Sequence, residues 1–333
     1  MESENMTTTT FSVVGGPAVR AALAGAEQDV IDRVREAYLL HDDGQTVNPD
    51  SYFLRFPEKP DSRIIALPAF LGGEAETAGI KWISSFPGNH DRGLPRASAV
   101  LVLNDYRTGY PTALLESATI SAARTAASAA LAARVLRDTP PRSWGVIGTG
   151  VIAREICRYL AAATTPPPVV HCHDLNPGAA ERLAAELPGG RAADLATACD
   201  ADLVVLATTA LRPHLPADLR FRPGQLVLHV SLRDLEPQTL LHADNVVDDV
   251  DHCLKQNTSP HLAEQLLGDR SFVTGTLAGV LRGDVALRAD RPVIFSPFGM
   301  GILDLAVGRF VLDRAVAAGT ATEISDFFAP NGA

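Results

Sequence analysis

At 333 residues, with 46% hydrophobic and 20% charged residues, the chain has the composition of a compact globular protein with room for two domains. A formal net charge of −10 argues against a general nucleic-acid or membrane-surface binder, since both need a basic face. The start, residues 1–10, is polar and Thr-rich with no signal-peptide core, and no apolar run reaches the roughly 20 residues of a membrane span, so the expected location is the cytoplasm.

In chain order, residues 17–40 read as one amphipathic helix, with Val30, Ile31, Val34 and Leu39 near helical spacing. A polar turn region, 41–50, leads into strand-like segments at 52–56, 63–67, 78–84 and 97–104. Pro and Gly clusters punctuate them, as in an antiparallel sheet. Lys81 lies in this region inside an apolar segment. Only three of the 29 basic residues are lysines (Lys59, Lys81, Lys255), so a lysine kept at that place asks for a chemical reason. Residues 116–136 are Ala-rich without Gly or Pro and read as a helix.

After residue 138 the pattern changes. Strands at 144–147, 169–173, 203–207, 226–230 and 245–247 are interleaved in their first part with helices at 153–163 and 179–187, the signature of an α/β, Rossmann-type doubly wound parallel sheet. A last apolar helix, 303–318, could close either domain. The four cysteines, Cys157, Cys172, Cys199 and Cys253, have no metal-ligand spacing and read as isolated buried thiols. His171 and His173 share one face of a strand without further ligands, and Asp248, Asp249, Asp251 and His252 read as a solvated turn. No metal is expected.

Gly148-Thr149-Gly150-Val151-Ile152-Ala153 fits G-x-G-x-x-A between a strand and a helix. The first glycine permits the tight turn, the second lets backbone approach a pyrophosphate, and the small third residue allows close helix–strand packing. Asp174, 24 residues after Gly150, stands at the tip of the next strand, where a carboxylate can accept both ribose hydroxyls and repel a 2′-phosphate. NAD is therefore the expected cofactor.

Gly79-Ile80-Lys81-Trp82, Asn104-Asp105, Gly109-Tyr110-Pro111, Glu116, the run Ile120 to Ala127 around Arg124, Ser231-Leu232-Arg233-Asp234 and the run Phe295 to Asp304 together resemble the ornithine cyclodeaminase/mu-crystallin family. The resemblance covers essentially the whole chain. It implies an α+β substrate-binding and dimerisation domain from residues 1–128 and 303–333, a Rossmann domain from 129–302, and a homodimer. It also implies Lys81 and Asp234 as catalytic residues; Arg233 beside the latter is an alternative functional group or only a surface charge. Arg55 and Arg124 become carboxylate-binding arginines, and Arg96 a third contact or a rim charge. Thr125, Gly148, Thr149, Gly150, Val151, Ile152, Asp174, Thr208, Ser231 and Ser296 would line the cofactor.

The runs 48–57, 81–89 and 93–98 are similar to one branch, which cleaves N-(2-amino-2-carboxyethyl)-L-glutamate oxidatively to 2,3-diaminopropionate in siderophore and peptide-antibiotic pathways. Aligned through Arg55, Ala66 replaces a glutamate that cyclodeaminases carry near substrate, which fits a more anionic amino-acid substrate. The alternatives are a cyclodeaminase, an imine reductase or alanine-type dehydrogenase, and a non-catalytic binding protein.

Overall fold

A computed structural model describes residues 10–328. They divide into two compact units.

The described residues of the first unit are 10–26, 43–124 and 300–328. Eight strands form a mixed sheet in the order Thr322–Ile324, Phe11–Val14, Pro111–Glu116, Ala97–Asp105, Thr77–Ser85, Lys59–Leu71, Thr46–Val47, with Tyr52–Phe56 also paired to Lys59–Leu71. All pairings are antiparallel except that of Phe11–Val14 with Pro111–Glu116. The expected strand 52–56 is present with the same bounds, and those expected at 63–67, 78–84 and 97–104 are present and longer.

Register sets the two faces of this sheet. Leu67, Lys81 and Leu101 stand opposite one another, so they and their i±2 neighbours share a face. The helix Gly301–Ala317 packs there closely enough that a Cβ at Gly308 would overlap the Leu101 side chain, and one at Gly79 would stand 2.9 Å from Leu305. The other face carries Tyr52, Leu54, Trp82 and Val100, all exposed.

The single helix expected over 17–40 is two: Gly16–Leu23, with proline in its first turn, and Glu27–Asp42. Gly25 at φ +68 takes the left-handed conformation that breaks the run, which helical spacing alone did not register. Glu27–Asp42 groups with the second unit, so the first unit is less continuous than the expected 1–128. Its buried Tyr38 reaches Ser128, the two hydroxyl oxygens 2.7 Å apart.

The described residues of the second unit are 27–42 and 125–299. Its eight strands are all parallel, in the order Gly190–Ala192, Val169–His173, Ser143–Ile147, Leu203–Leu206, Leu226–His229, Val293–Ser296, Asp244–Val247, Val273–Thr276. Leu203–Leu206 and Leu226–His229 are buried at every position, and all their residues but His229 are apolar. Crossing directions reverse beside Ser143–Ile147, so the carboxyl ends of that strand and of Leu203–Leu206 mark the ligand end of the sheet.

The acidic stretch at 248–252 departs from the expected solvated turn. Asp248 is buried and accepts from the backbone N–H groups of Phe298 at 3.0 Å and Gly299 at 2.6 Å. Burial pushes its pKa up against those hydrogen bonds, so it latches the 298–299 backbone. Asp249 caps the next helix through His252 N–H and lies 3.1 Å from His41 Nε2. The four cysteines are buried and free. Among the described residues no three His, Cys, Asp or Glu side chains gather as a metal site, and no helix is long and apolar enough to cross a membrane.

Candidate functional site

In the second unit, Gly148 at φ +82 makes the turn between Ser143–Ile147 and the helix Val151–Ala163, and a Cβ there would lie 2.7 Å from the Ala207 carbonyl oxygen. Gly150 is the helix N-cap, has no side-chain cap, and a Cβ placed on it would meet nothing within 4 Å. Open space above uncapped N–H groups at the positive end of a 13-residue helix is what a diphosphate requires. Ala153 is fully buried at the helix–sheet contact.

Asp174 Oδ2 accepts from Thr149 N–H at 2.8 Å and Thr149 Oγ1 at 3.0 Å, and Oδ1 from Asn176 N–H at 2.9 Å. Burial raises its pKa, but these hydrogen bonds outweigh it and hold the carboxyl below its ordinary value. An ionised carboxylate accepts about four hydrogen bonds, which leaves capacity for a ribose hydroxyl. The residues therefore fit a dinucleotide without a 2′-phosphate. Asp174→Ser is expected to lower kcat/KM for NAD by about 10–100-fold, the worth of charge-assisted hydrogen bonds, and to raise it for NADP. Kinetics with both nucleotides check this; an unchanged ratio would remove Asp174 from the ribose site.

In the first unit, Lys81 on Thr77–Ser85 is 2% exposed. Its ammonium donates to Asp304 Oδ2 at 2.5 Å and to Ser121 Oγ at 3.2 Å. Arg124, on the helix Ala118–Val135, donates from Nε to Asp304 Oδ1 at 3.3 Å and from Nη2 to Ser121 Oγ at 3.4 Å. Asp304 belongs to Gly301–Ala317 and is 0% exposed. Three elements thus bring two cations onto one buried carboxylate. Desolvation lowers the Lys81 pKa, Asp304 opposes that, and the Arg124 charge lowers it further, to about 8. Such a lysine exchanges a proton near neutral pH.

Arg55 lies on the same sheet face as Lys81, because it pairs with Arg63, four residues along Lys59–Leu71 from Leu67, the partner of Lys81. It is exposed and stacks over Phe53 at 5.2 Å. Arg63, directly opposite, adds a second arginine to this part of the face. Arg96 precedes Ala97, the residue in the row of Ser85 and Arg63. Its guanidinium is half-buried without an ion-pair partner among the described residues, and burial lowers its pKa. Ala66 corrects the sequence argument: it pairs with Trp82 and stands on the opposite face from Lys81, so its small size says nothing about carboxylates near the substrate.

Asp234, in the loop after Leu226–His229, is 0% exposed. Its Oδ1 accepts from the Thr208 hydroxyl and lies 2.6 Å from His214 Nε2, while its backbone N–H donates to His229 Nε2 at 3.2 Å. Burial, opposed by Asp234 and aided by His214, depresses the His229 pKa to about 4. His229 is therefore neutral, and since its Nε2 accepts, its Nδ1–H donates to Ser296 Oγ at 3.1 Å. Ser231 Oγ donates to the Leu206 carbonyl at 2.9 Å. The hydroxyls of Thr208, Ser231 and Ser296 thus serve the loop's internal bonding. Thr125 opens the second unit's main segment, and Arg233 donates from Nη2 to the Gln256 carbonyl at 2.6 Å. Val151 is exposed and Ile152 half-buried at the head of the helix.

Sequence reasoning missed Asp304, His214 and His229 as members of these clusters. Asp304 had a signal, an acid in an apolar helix that mirrors the lysine in an apolar strand. His214 lies in an irregular loop where no periodicity speaks for it.

Residues 19–319 match the profile of the ornithine cyclodeaminase/mu-crystallin family. The chain is 28% identical over 309 residues to the N-((2S)-2-amino-2-carboxyethyl)-L-glutamate dehydrogenase of Staphylococcus aureus, spanning 86% of this chain and 90% of that one. Over 318 residues it is 28% identical to the alanine dehydrogenase of Archaeoglobus fulgidus, spanning 90% and 94%. The crystal structure of CmnK superposes with a TM-score of 0.87 at 31% identity, over 96% of this chain and all of that one.

Proposed function

The chain belongs to the ornithine cyclodeaminase/mu-crystallin family, and from that premise we propose that it oxidises N-(2-amino-2-carboxyethyl)-L-glutamate with NAD, giving L-2,3-diaminopropionate and 2-oxoglutarate. At the coarser level it is an NAD-dependent oxidoreductase acting on an amino-acid C–N bond. The observation that carries the substrate reading is the cationic layout of one sheet face in the first unit. Lys81, paired with Arg124 on Asp304, and the Arg55–Arg63 pair lie four residues apart along the strand, about 13 Å. Long side chains shorten that gap, and a substrate with carboxylates at both ends suits it better than alanine, which has one.

Bound NAD supplies the hydride acceptor for the glutamyl Cα–H. Arg124 and Arg55 hold carboxylates and so fix the substrate's orientation. Neutral Lys81 takes the proton from the substrate's secondary ammonium, freeing the nitrogen lone pair needed to form the imine. Asp234 contributes to the proton transfers of water addition and carbinolamine collapse through the side chains hydrogen-bonded to it. Substrate, NAD and water are consumed, and 2,3-diaminopropionate, 2-oxoglutarate, NADH and a proton are released.

The test is NADH absorbance with purified protein, NAD and this substrate, with 2-oxoglutarate measured in parallel and ornithine as control. Equimolar NADH and 2-oxoglutarate are expected. Ammonia and proline from ornithine without net NADH would establish a cyclodeaminase instead.

The same reading includes a homodimer formed through the first unit, supported by the exposed apolar face of Tyr52, Leu54, Trp82 and Val100. Trp82, 42% exposed, lies among them. Trp82→Glu is expected to halve the mass measured by light scattering; a wild-type mass of 35.3 kDa would refute the dimer.

A further inference from the structure

We propose that His214 is the residue that moves protons for the reaction in the second unit, and that Asp234 acts through it as a buried positioning carboxylate; this rests on the dehydrogenase reading above.

Asp234 is fully buried, whereas the His214 side chain is 37% exposed. The two are joined twice, Asp234 Oδ1 lying 2.6 Å from His214 Nε2 and the Asp234 carbonyl accepting from the His214 backbone N–H at 3.2 Å, and the same carbonyl accepts from Leu215 N–H at 3.1 Å. A carboxylate oxygen accepts, so in this contact Nε2 carries the hydrogen and Nδ1 is the ring nitrogen left for a ligand. Among the described residues Nδ1 has no hydrogen-bond partner. Asp234 itself is held from behind. Thr208 donates to the same carboxylate oxygen, and neutral His229 accepts its backbone N–H. Leu232 at φ +75 keeps the intervening loop in a conformation that a leucine rarely adopts.

A buried aspartate fixing the tautomer of a partly exposed imidazole is the arrangement that makes histidine an effective base. The pair stands in the loops after Leu203–Leu206 and Leu226–His229, beside the strand that leads to the Gly148 turn. Of the two side chains, His214 is the one with exposed surface, so it is the member of the pair that water or substrate touches in this loop.

The experiment compares His214→Ala, His214→Gln and wild type for kcat, KM, NAD affinity and melting temperature. Both variants are expected to lose kcat by about 10²–10⁴-fold. KM and NAD affinity should stay within about threefold, since the role is in proton transfer. Imidazole added to the medium should restore part of the rate to the Ala variant and not to the Gln variant. Glutamine still donates a hydrogen bond to Asp234, so a Gln variant near the wild-type rate would make His214 a structural partner and overturn the proposal. An Ala variant within about threefold of wild type would do the same.

The assay also includes alanine, proline and ornithine. If wild type turns over only one of those, the substrate reading fails and the His214 comparison is made on that amino acid. A ¹⁵N-histidine spectrum needs no substrate: a neutral His214 carrying its proton on Nδ1 rather than Nε2 would overturn the assignment.

Discussion

Lys81→Met is expected to lower kcat by about 10²–10⁴-fold and to abolish a rising limb near pH 8 in the wild-type pH–rate profile of the oxidative direction. The lysine is buried against Asp304 with Arg124 on the same carboxylate, and its pKa stands at about 8 rather than 10.5. Oxidation at carbon requires a free lone pair on the substrate nitrogen, so the active form of Lys81 is the neutral one, and activity climbs as pH passes 8. The residual activity of the methionine variant should lack that limb. A wild-type profile flat from pH 7 to 9, or a variant that keeps the limb, would remove the lysine from proton transfer.

Stability moves with the same titration. Because the folded pKa is below the unfolded one, the unfolded chain binds more protons between pH 8 and 10.5, and the Lys81 contribution rises with pH across that window. Below pH 8 it is constant and unfavourable. Thermal melts of wild type and Lys81→Met should therefore diverge in slope above pH 8 and run parallel below it.

Five of the eight strands of the second unit's parallel sheet were readable, Leu203–Leu206, Leu226–His229 and Asp244–Val247 because they are buried at every position; Gly190–Ala192, Val273–Thr276 and Val293–Ser296 were not anticipated. The dinucleotide turn was equally readable, since Gly148, Gly150 and Asp174 act through local backbone geometry. What escaped depends on parity and on contacts distant in sequence. Whether Ala66 faces Lys81 is decided by a one-residue shift in register, and only the pairing Leu67 with Lys81 settles it. Asp304 meets Lys81 across 223 positions, so the acid in an apolar helix and the lysine in an apolar strand were each visible but not joined. His214 depends on a loop without periodicity, whose course is set by the Asp234 carbonyl.

Arg124 is expected to have two separable effects. Arg124→Met removes a charge-assisted partner for a substrate carboxylate, a loss of about 2–5 kcal/mol, which lowers kcat/KM by about 1.5 to 3.5 orders of magnitude. It also removes a positive charge that depresses the Lys81 pKa, so the rising limb should move above pH 8. Arg124→Lys separates these terms. It keeps the charge, and with it a limb near pH 8, but it loses the planar fork that holds a carboxylate through two parallel hydrogen bonds. The lysine variant should therefore keep the wild-type pH profile while kcat/KM remains low. If both variants left the limb in place, Lys81 would be tuned by burial and Asp304 alone. If both left kcat/KM unchanged, the guanidinium would serve only to neutralise Asp304, and the substrate carboxylate would have to be held elsewhere on the Arg55 face.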